Sequence, residues 1–325
     1  MRGPQQHANE SDRFLVGDQY ANNNPFLMTI SIIWHKYHNL LANEMHEANP
    51  LMSDDDIYNR IKKRVVGHLQ KITLYDWLPT YVPLDRVPFL QGNNAQAAVL
   101  PPYRGHNPNI NPGLKLEFNM AMRAAHSMVP KGIILRQKGP RFENGTCTGE
   151  LCCIWGSASL ASMMGQNETS GTTEESFRFC RTVNRLTRKI REHSVDDFVR
   201  GMASQTAKSV SIVYDGDLTD SFVYGATYPR ANLQQIDIQR AAEYELNSYD
   251  NVRRGFMQLN GLEDDLPYGP FQEFYAEQAR DFYTAGLLES SQDGEFGELF
   301  STIIVEQFLR LRDADPEWFE ARIKN

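Results

Sequence analysis

A mainly α-helical fold in one domain, residues 1–325, is predicted by three features of the sequence. First, apolar residues recur at spacings of three and four over 24–47, 53–75 and 174–192, which is the period of a helix, and 116–129 reads as a further helix. Second, several of these stretches open on helix-start residues: Asn24 before Pro25, and Ser53 before Asp54-Asp55-Asp56. Third, the polar stretches between them read as loops: a lead-in loop over 1–23, a proline-rich surface connection over 83–113, and an irregular segment over 137–175. No tandem repeat and no clear linker divides the chain.

The stretch 24–47 organises the reading. Leu27, Ile30, Ile33, Trp34, Tyr37, Leu41 and Met45 form its apolar stripe. His38 lies on that stripe, four residues after Trp34, so it is expected to point inward, whereas His35, flanked by Ser31 and Asn39, sits on a wetter face. An inward histidine on a buried helix is either a hydrogen-bonded core residue or an axial ligand for a haem iron. A His35/His38 metal pair is the weaker alternative, because the two do not share a face.

Composition narrows the function. The chain has 325 residues, 41% of them hydrophobic and 23% charged, which is globular. A net charge of -8 argues against a nucleic-acid partner. No run of about 18 apolar residues is long enough to cross a membrane. The first residues lack the apolar core of a signal peptide. Yet Cys147, Cys152, Cys153 and Cys180 cluster as in a disulfide-forming protein, with Asn9, Asn144 and Asn167 each in a glycosylation sequon. Reduced core thiols or a zinc site would also use four cysteines, although the adjacent Cys152 and Cys153 match no usual zinc spacing. A secretory signature without a leader leads to the expectation that the natural N-terminus lies further upstream.

Further along, Ile57, Ile61, Val65, His68, Leu69 and Ile72 form one helical face, with His68 expected to play a packing or hydrogen-bonding part. Residues 174–192 are expected to be helical, with Phe177, Cys180, Val183, Leu186 and Ile190 on one side.

Several phrases resemble the animal haem peroxidases. Phe14-Leu15-Val16-Gly17-Asp18 is similar to the family's "FLxGD". Trp34-His35-Lys36-Tyr37-His38-Asn39-Leu40-Leu41-Ala42 resembles its proximal helix, "HNxLA", most nearly the form in the peroxidase-like domain of dual oxidases. Thr73 to Pro79 resembles "IxYxEWLP", Phe118 to Ser127 resembles "FxNAxRxGHS", and Asp196 to Gln205 resembles "DLxxGxxxQ". Asp237-Ile238-Gln239-Arg240 opens a version of "xIQRGRDxGLPSYNxxR" in which Gly and Pro are replaced by Glu245 and Asn247. That loss is expected to straighten a turn into continuous helix. The segments 285–290 and 298–313 resemble the dual oxidase C-terminus.

The resemblance implies a helical peroxidase-like fold that lacks its N-terminal, distal part. It implies haem as cofactor, His38 as proximal iron ligand, Arg123 as partner of a haem propionate, and His126 as structural. Met120 stands where the family places the asparagine that accepts from the proximal imidazole, and methionine is a poor acceptor. The family's distal histidine, catalytic arginine and calcium loop lie upstream of "FLxGD", so no catalytic residue is assigned and no calcium site is expected in this chain. The implied setting is extracellular: hydrogen peroxide and a small reductant as substrates, a response to oxidative stress, and a membrane oxidase joined in cis. The chain alone is expected to bind haem weakly and not to turn over peroxide. A non-catalytic extracellular interaction domain with a degenerate peroxidase fold is the competing expectation.

Overall fold

The computed structural model describes residues 14–18, 21–22, 24–91, 98–130, 132–136, 174–178, 190, 193–219, 222–223, 230–260, 281–291 and 294–323. Cys147, Cys152, Cys153, Cys180, Asn9, Asn144 and Asn167 lie outside the described residues. The described residues are mainly helical, with two short antiparallel strand pairs. They form two compact units, and the division falls inside the first helix, between Lys36 and Tyr37.

That helix, α1, runs Pro25–Ala48. Asn24 Oδ1 caps it by accepting from Leu27 N at 2.8 Å, as a short polar side chain does at a helix start. Its start is as the sequence predicts, but its first turns bury Met28 and Thr29 rather than Leu27 and Ile30, which are exposed. The reason is the small core of the first unit, where Met28 meets Leu135, Ile190 and Phe198.

In that unit, strand β1 (Gly132–Arg136) pairs antiparallel with β2 (Glu174–Arg178), Gly132 opposite Arg178. Residues 174–178 are therefore a strand, contrary to the helix expected there. The helical spacing rested mostly on residues beyond 178, and the hydrogen-bond partner that makes a strand lies about forty residues upstream. Helix α5 (Val195–Ser204, after α2–α4 below) is closed by a full capping box between Ser194 and Asp197. Its Gly201 lies so close to β1 that a Cβ there would strike the Ile134 carbonyl oxygen. The next residue off the helix, Gln205, bonds the strand with both ends of its amide: Oε1 accepts from Ile134 N at 3.2 Å and Nε2 donates to Gly132 O. The Gly and Gln of the "DLxxGxxxQ" phrase thus join helix to strand. Helix α6 (Gly216–Thr219) and the pair β3 (Phe222–Val223) with β4 (Arg230–Ala231) complete this unit.

The second unit holds the larger core. Helix α2 (Asp54–Lys71) starts on Ser53, which accepts from Asp56 N at 3.2 Å, and buries Ile57, Ile61 and Val65. Leu69 and Ile72, predicted on the same face, are exposed. A π-helical turn, Ile72–Trp77, widens the helix before α3 (Leu78–Tyr81). Helix α4 (Leu116–Arg123) tightens into a 3-10 turn over Ala124–Met128. Helices α7 (Leu233–Glu243), α8 (Tyr249–Leu259), α9 (Phe282–Ser291), α10 (Glu298–Ala314) and α11 (Phe319–Ile323) follow. The central member is α10, which buries Leu299, Phe300, Ile303, Ile304 and Val305 and packs on α4.

The predicted straightening between α7 and α8 does not occur. The helix stops at Glu243, and Glu245 takes the turn with φ 50°. That is a left-handed conformation, which a glycine would hold without strain. Ser248 then caps α8 by accepting from Asn251 N at 3.4 Å, while Tyr244, Leu246 and Tyr249 pack on the core. Packing and the new cap keep a turn that local propensity would have removed.

Candidate functional site

His38 belongs to the second unit and is half-buried on α1. Its Nδ1 lies 3.3 Å from Asn39 Oδ1, and its ring lies 5.6 Å from that of Tyr58 on α2. Its Nε2 is fully buried and has no hydrogen-bond partner among the described residues. A buried polar atom left unpaired costs about 1–3 kcal/mol, so such atoms are rare unless something else satisfies them. One residue earlier, the Tyr37 hydroxyl lies 2.9 Å from His68 Nδ1, which ties this part of α1 to α2 and gives His68 the hydrogen-bonding part expected of it.

Arg123, at the end of α4, occupies a different setting. Its Nη1 donates to Asp237 Oδ1 at 2.9 Å and its Nε donates to Asn119 Oδ1 at 3.1 Å. Asp237, on α7, is completely buried. It also accepts from His126 Nδ1 at 2.6 Å and from the Tyr214 hydroxyl at 2.9 Å. The Tyr214 hydroxyl in turn meets that of Tyr283, also buried. Burial first, and then the neighbouring Tyr283 and Asp237, push the Tyr214 phenol far above its usual range; burial and Asp237 do the same to Tyr283. Nη2 of Arg123 makes no hydrogen bond among the described residues, and its side chain is 21% exposed. The guanidinium therefore has a free edge for a second anion.

Met120 is fully buried in the apolar core, beside Ala121 and Ala124. Among the described residues, no hydrogen bond or ring contact joins His38 to Arg123 or to Met120. A surface groove lined by Phe89, Ile110, Leu309 and Arg310 includes none of the three. Asp237, Tyr214 and Tyr283 were not singled out as site residues from the sequence. Asp237 did stand at the head of a recognisable phrase, but its role comes from partners far away in the chain.

The residues at His38 fit an iron porphyrin in one definite respect: Nε2, a ring nitrogen of the type that ligates haem iron, is buried without a hydrogen-bond partner among the described residues. No group of three or more His, Cys, Asp or Glu side chains among the described residues is arranged to hold a bare metal ion.

The family model described as animal haem peroxidase matches residues 2–325. The chain is 28% identical over 324 residues to a dual oxidase of Drosophila melanogaster, covering 94% of this chain and 18% of that protein. To dual oxidase 2 of Sus scrofa it is 29% identical over 338 residues, covering 98% of this chain and 19% of that one. It thus spans under a fifth of the length of these relatives. Among solved structures, peroxidase A from Dictyostelium discoideum superposes with a TM-score of 0.70 at 21% identity, over 97% of this chain and 55% of that one.

Proposed function

We propose, for a chain that belongs to the animal haem peroxidase family, that it supplies the iron-ligating side of a haem site of the dual oxidase type, with His38 as the ligand. The observation that carries this reading is the buried Nε2 of His38, without a hydrogen-bond partner among the described residues. Haem, when bound, would supply the redox chemistry with hydrogen peroxide. The chain's own residues would do the holding. His38 would present Nε2 to the iron, and Tyr58 would limit rotation of its ring. Arg123 would offer its remaining N–H donors to a propionate while Asp237 fixes the rest of its fork. Peroxide cleavage further requires a distal base and cation, and none of the described residues is assigned those tasks. Oxidation of a substrate by this chain alone is therefore expected to stay at the level of free haemin.

The setting we propose is extracellular, with a membrane oxidase as partner and a small reductant as the substrate oxidised. The cysteines and sequons support an oxidising compartment. No helix among the described residues is long and apolar enough to cross a membrane. Titrating the 325-residue chain with haemin tests the reading. A red-shifted Soret band is expected, and His38→Ala should abolish it without changing the helical circular dichroism. A shift that survives His38→Ala sinks the assignment.

A second reading, a non-catalytic interaction domain, is favoured by Met120. The position from which the family supports its ligand is filled here by a side chain committed to the apolar core. On that reading the His38→Ala variant and the parent have the same spectra with haemin.

A further inference from the structure

A histidine can ligate iron through Nε2 only if the ring proton resides on Nδ1, and an acceptor at Nδ1 is what keeps it there. Met120 cannot be that acceptor: a thioether is weak, and this one is enclosed by apolar core. The group that does face Nδ1 is the side-chain oxygen of the very next residue, Asn39, at 3.3 Å.

We infer that Asn39 is the positioning residue of His38, accepting the Nδ1 proton through Oδ1 and so leaving the Nε2 lone pair for a metal. This inference rests on the reading of His38 as a ligand and deepens it. The arrangement is self-contained on α1. Donor and acceptor are adjacent in the chain, so their relation does not depend on α4, where Met120 lies. Two contacts with α2 hold the frame: Tyr58 against the His38 ring, and Tyr37 with His68. Because Asn39 is exposed, its acceptor is weaker than a buried one would be, since water competes for it. The His38 imidazole is therefore held in the right tautomer but polarised only modestly.

The test begins without haem. In the 15N-labelled chain, long-range proton–nitrogen correlation spectra should show His38 as the Nδ1–H tautomer. Asn39→Leu, an exposed change that leaves the helix intact, should move the ring mainly to the Nε2–H form. Asn39→Asp should retain Nδ1–H. With haemin added, Asn39→Leu should weaken affinity about 10-fold and lower the iron–histidine stretching frequency of the reduced form, whereas Asn39→Asp should raise that frequency. Met120→Leu should change none of these. An Nε2–H tautomer in the parent chain, or an Asn39→Leu variant with unchanged tautomer and stretch, overturns the inference even if His38 binds haem. If haemin fails to bind at His38, the functional reading falls, and the haem-free spectra still decide the part played by Asn39.

Discussion

The surroundings of His38 and of Asp237 are opposites in one respect. At Asp237 both carboxylate oxygens are answered. One fully buried carboxylate accepts from Arg123, His126 and Tyr214, and Tyr214 is backed by Tyr283. At His38 a buried nitrogen has no hydrogen-bond partner among the described residues, while Tyr58, packed against the ring, is exposed. A satisfied network holds the protein's own elements together; a buried atom without a partner is where a ligand would supply the missing bond. On the proposed reading the contrast separates a structural centre from a binding one, although a histidine takes part in each.

Substitutions can break or sharpen this contrast. The largest effect is expected for Asp237→Ala, which leaves a partly buried arginine and histidine and a buried tyrosine without their shared acceptor. Breaking such a pair costs about 3–5 kcal/mol, readable as a lower urea midpoint. Next is Met120→Asn. An amide placed in that apolar core should cost about 2–3 kcal/mol, measured in the same way. A stable Met120→Asn protein with tighter haem binding would instead mean that position 120 reaches His38.

Alkaline pH probes the hub without mutation. The Tyr214 and Tyr283 phenols are held above their usual value of 10. The folded state therefore binds these protons more tightly than the unfolded chain. Their stabilisation is complete below about pH 10 and is lost as pH rises beyond it. Tyr75, raised to about 12 by burial and by its bond to Glu320, adds to the loss between about pH 10 and 12. Tyr214→Phe should flatten this decline in melting temperature and cost about 1 kcal/mol at neutral pH. The smallest stability effect, under about 1 kcal/mol, is expected for His38→Ala, since its Nε2 has no hydrogen-bond partner to lose among the described residues. Thermal melting in the absence of haem measures it, and a loss near that of Asp237→Ala would erase the distinction drawn above.

What could be read in advance differs between elements for physical reasons. Helices α1 and α2 were legible because a helix is written in neighbours three and four residues apart, and its start in a capping side chain such as Asn24 or Ser53. Strand β2 was not, because a strand is defined by a remote partner. The turn at Glu245 was hidden by the loss of the glycine and proline that usually announce it, and the packing that preserves it is tertiary. The candidate ligand His38 was legible from its motif. The hub at Asp237 was not, since its partners stand 114, 111 and 23 residues away.

By itself the sequence determined the family, the helical architecture and which imidazole is the candidate ligand, because each is carried by short-range periodicity and by phrases of a few residues. Only the tertiary structure decided that Arg123 is shared with a buried aspartate, that Met120 belongs to the core, and that Nε2 of His38 is buried without a hydrogen-bond partner among the described residues. Burial and hydrogen-bond satisfaction depend on which distant segments meet, and no local pattern encodes that.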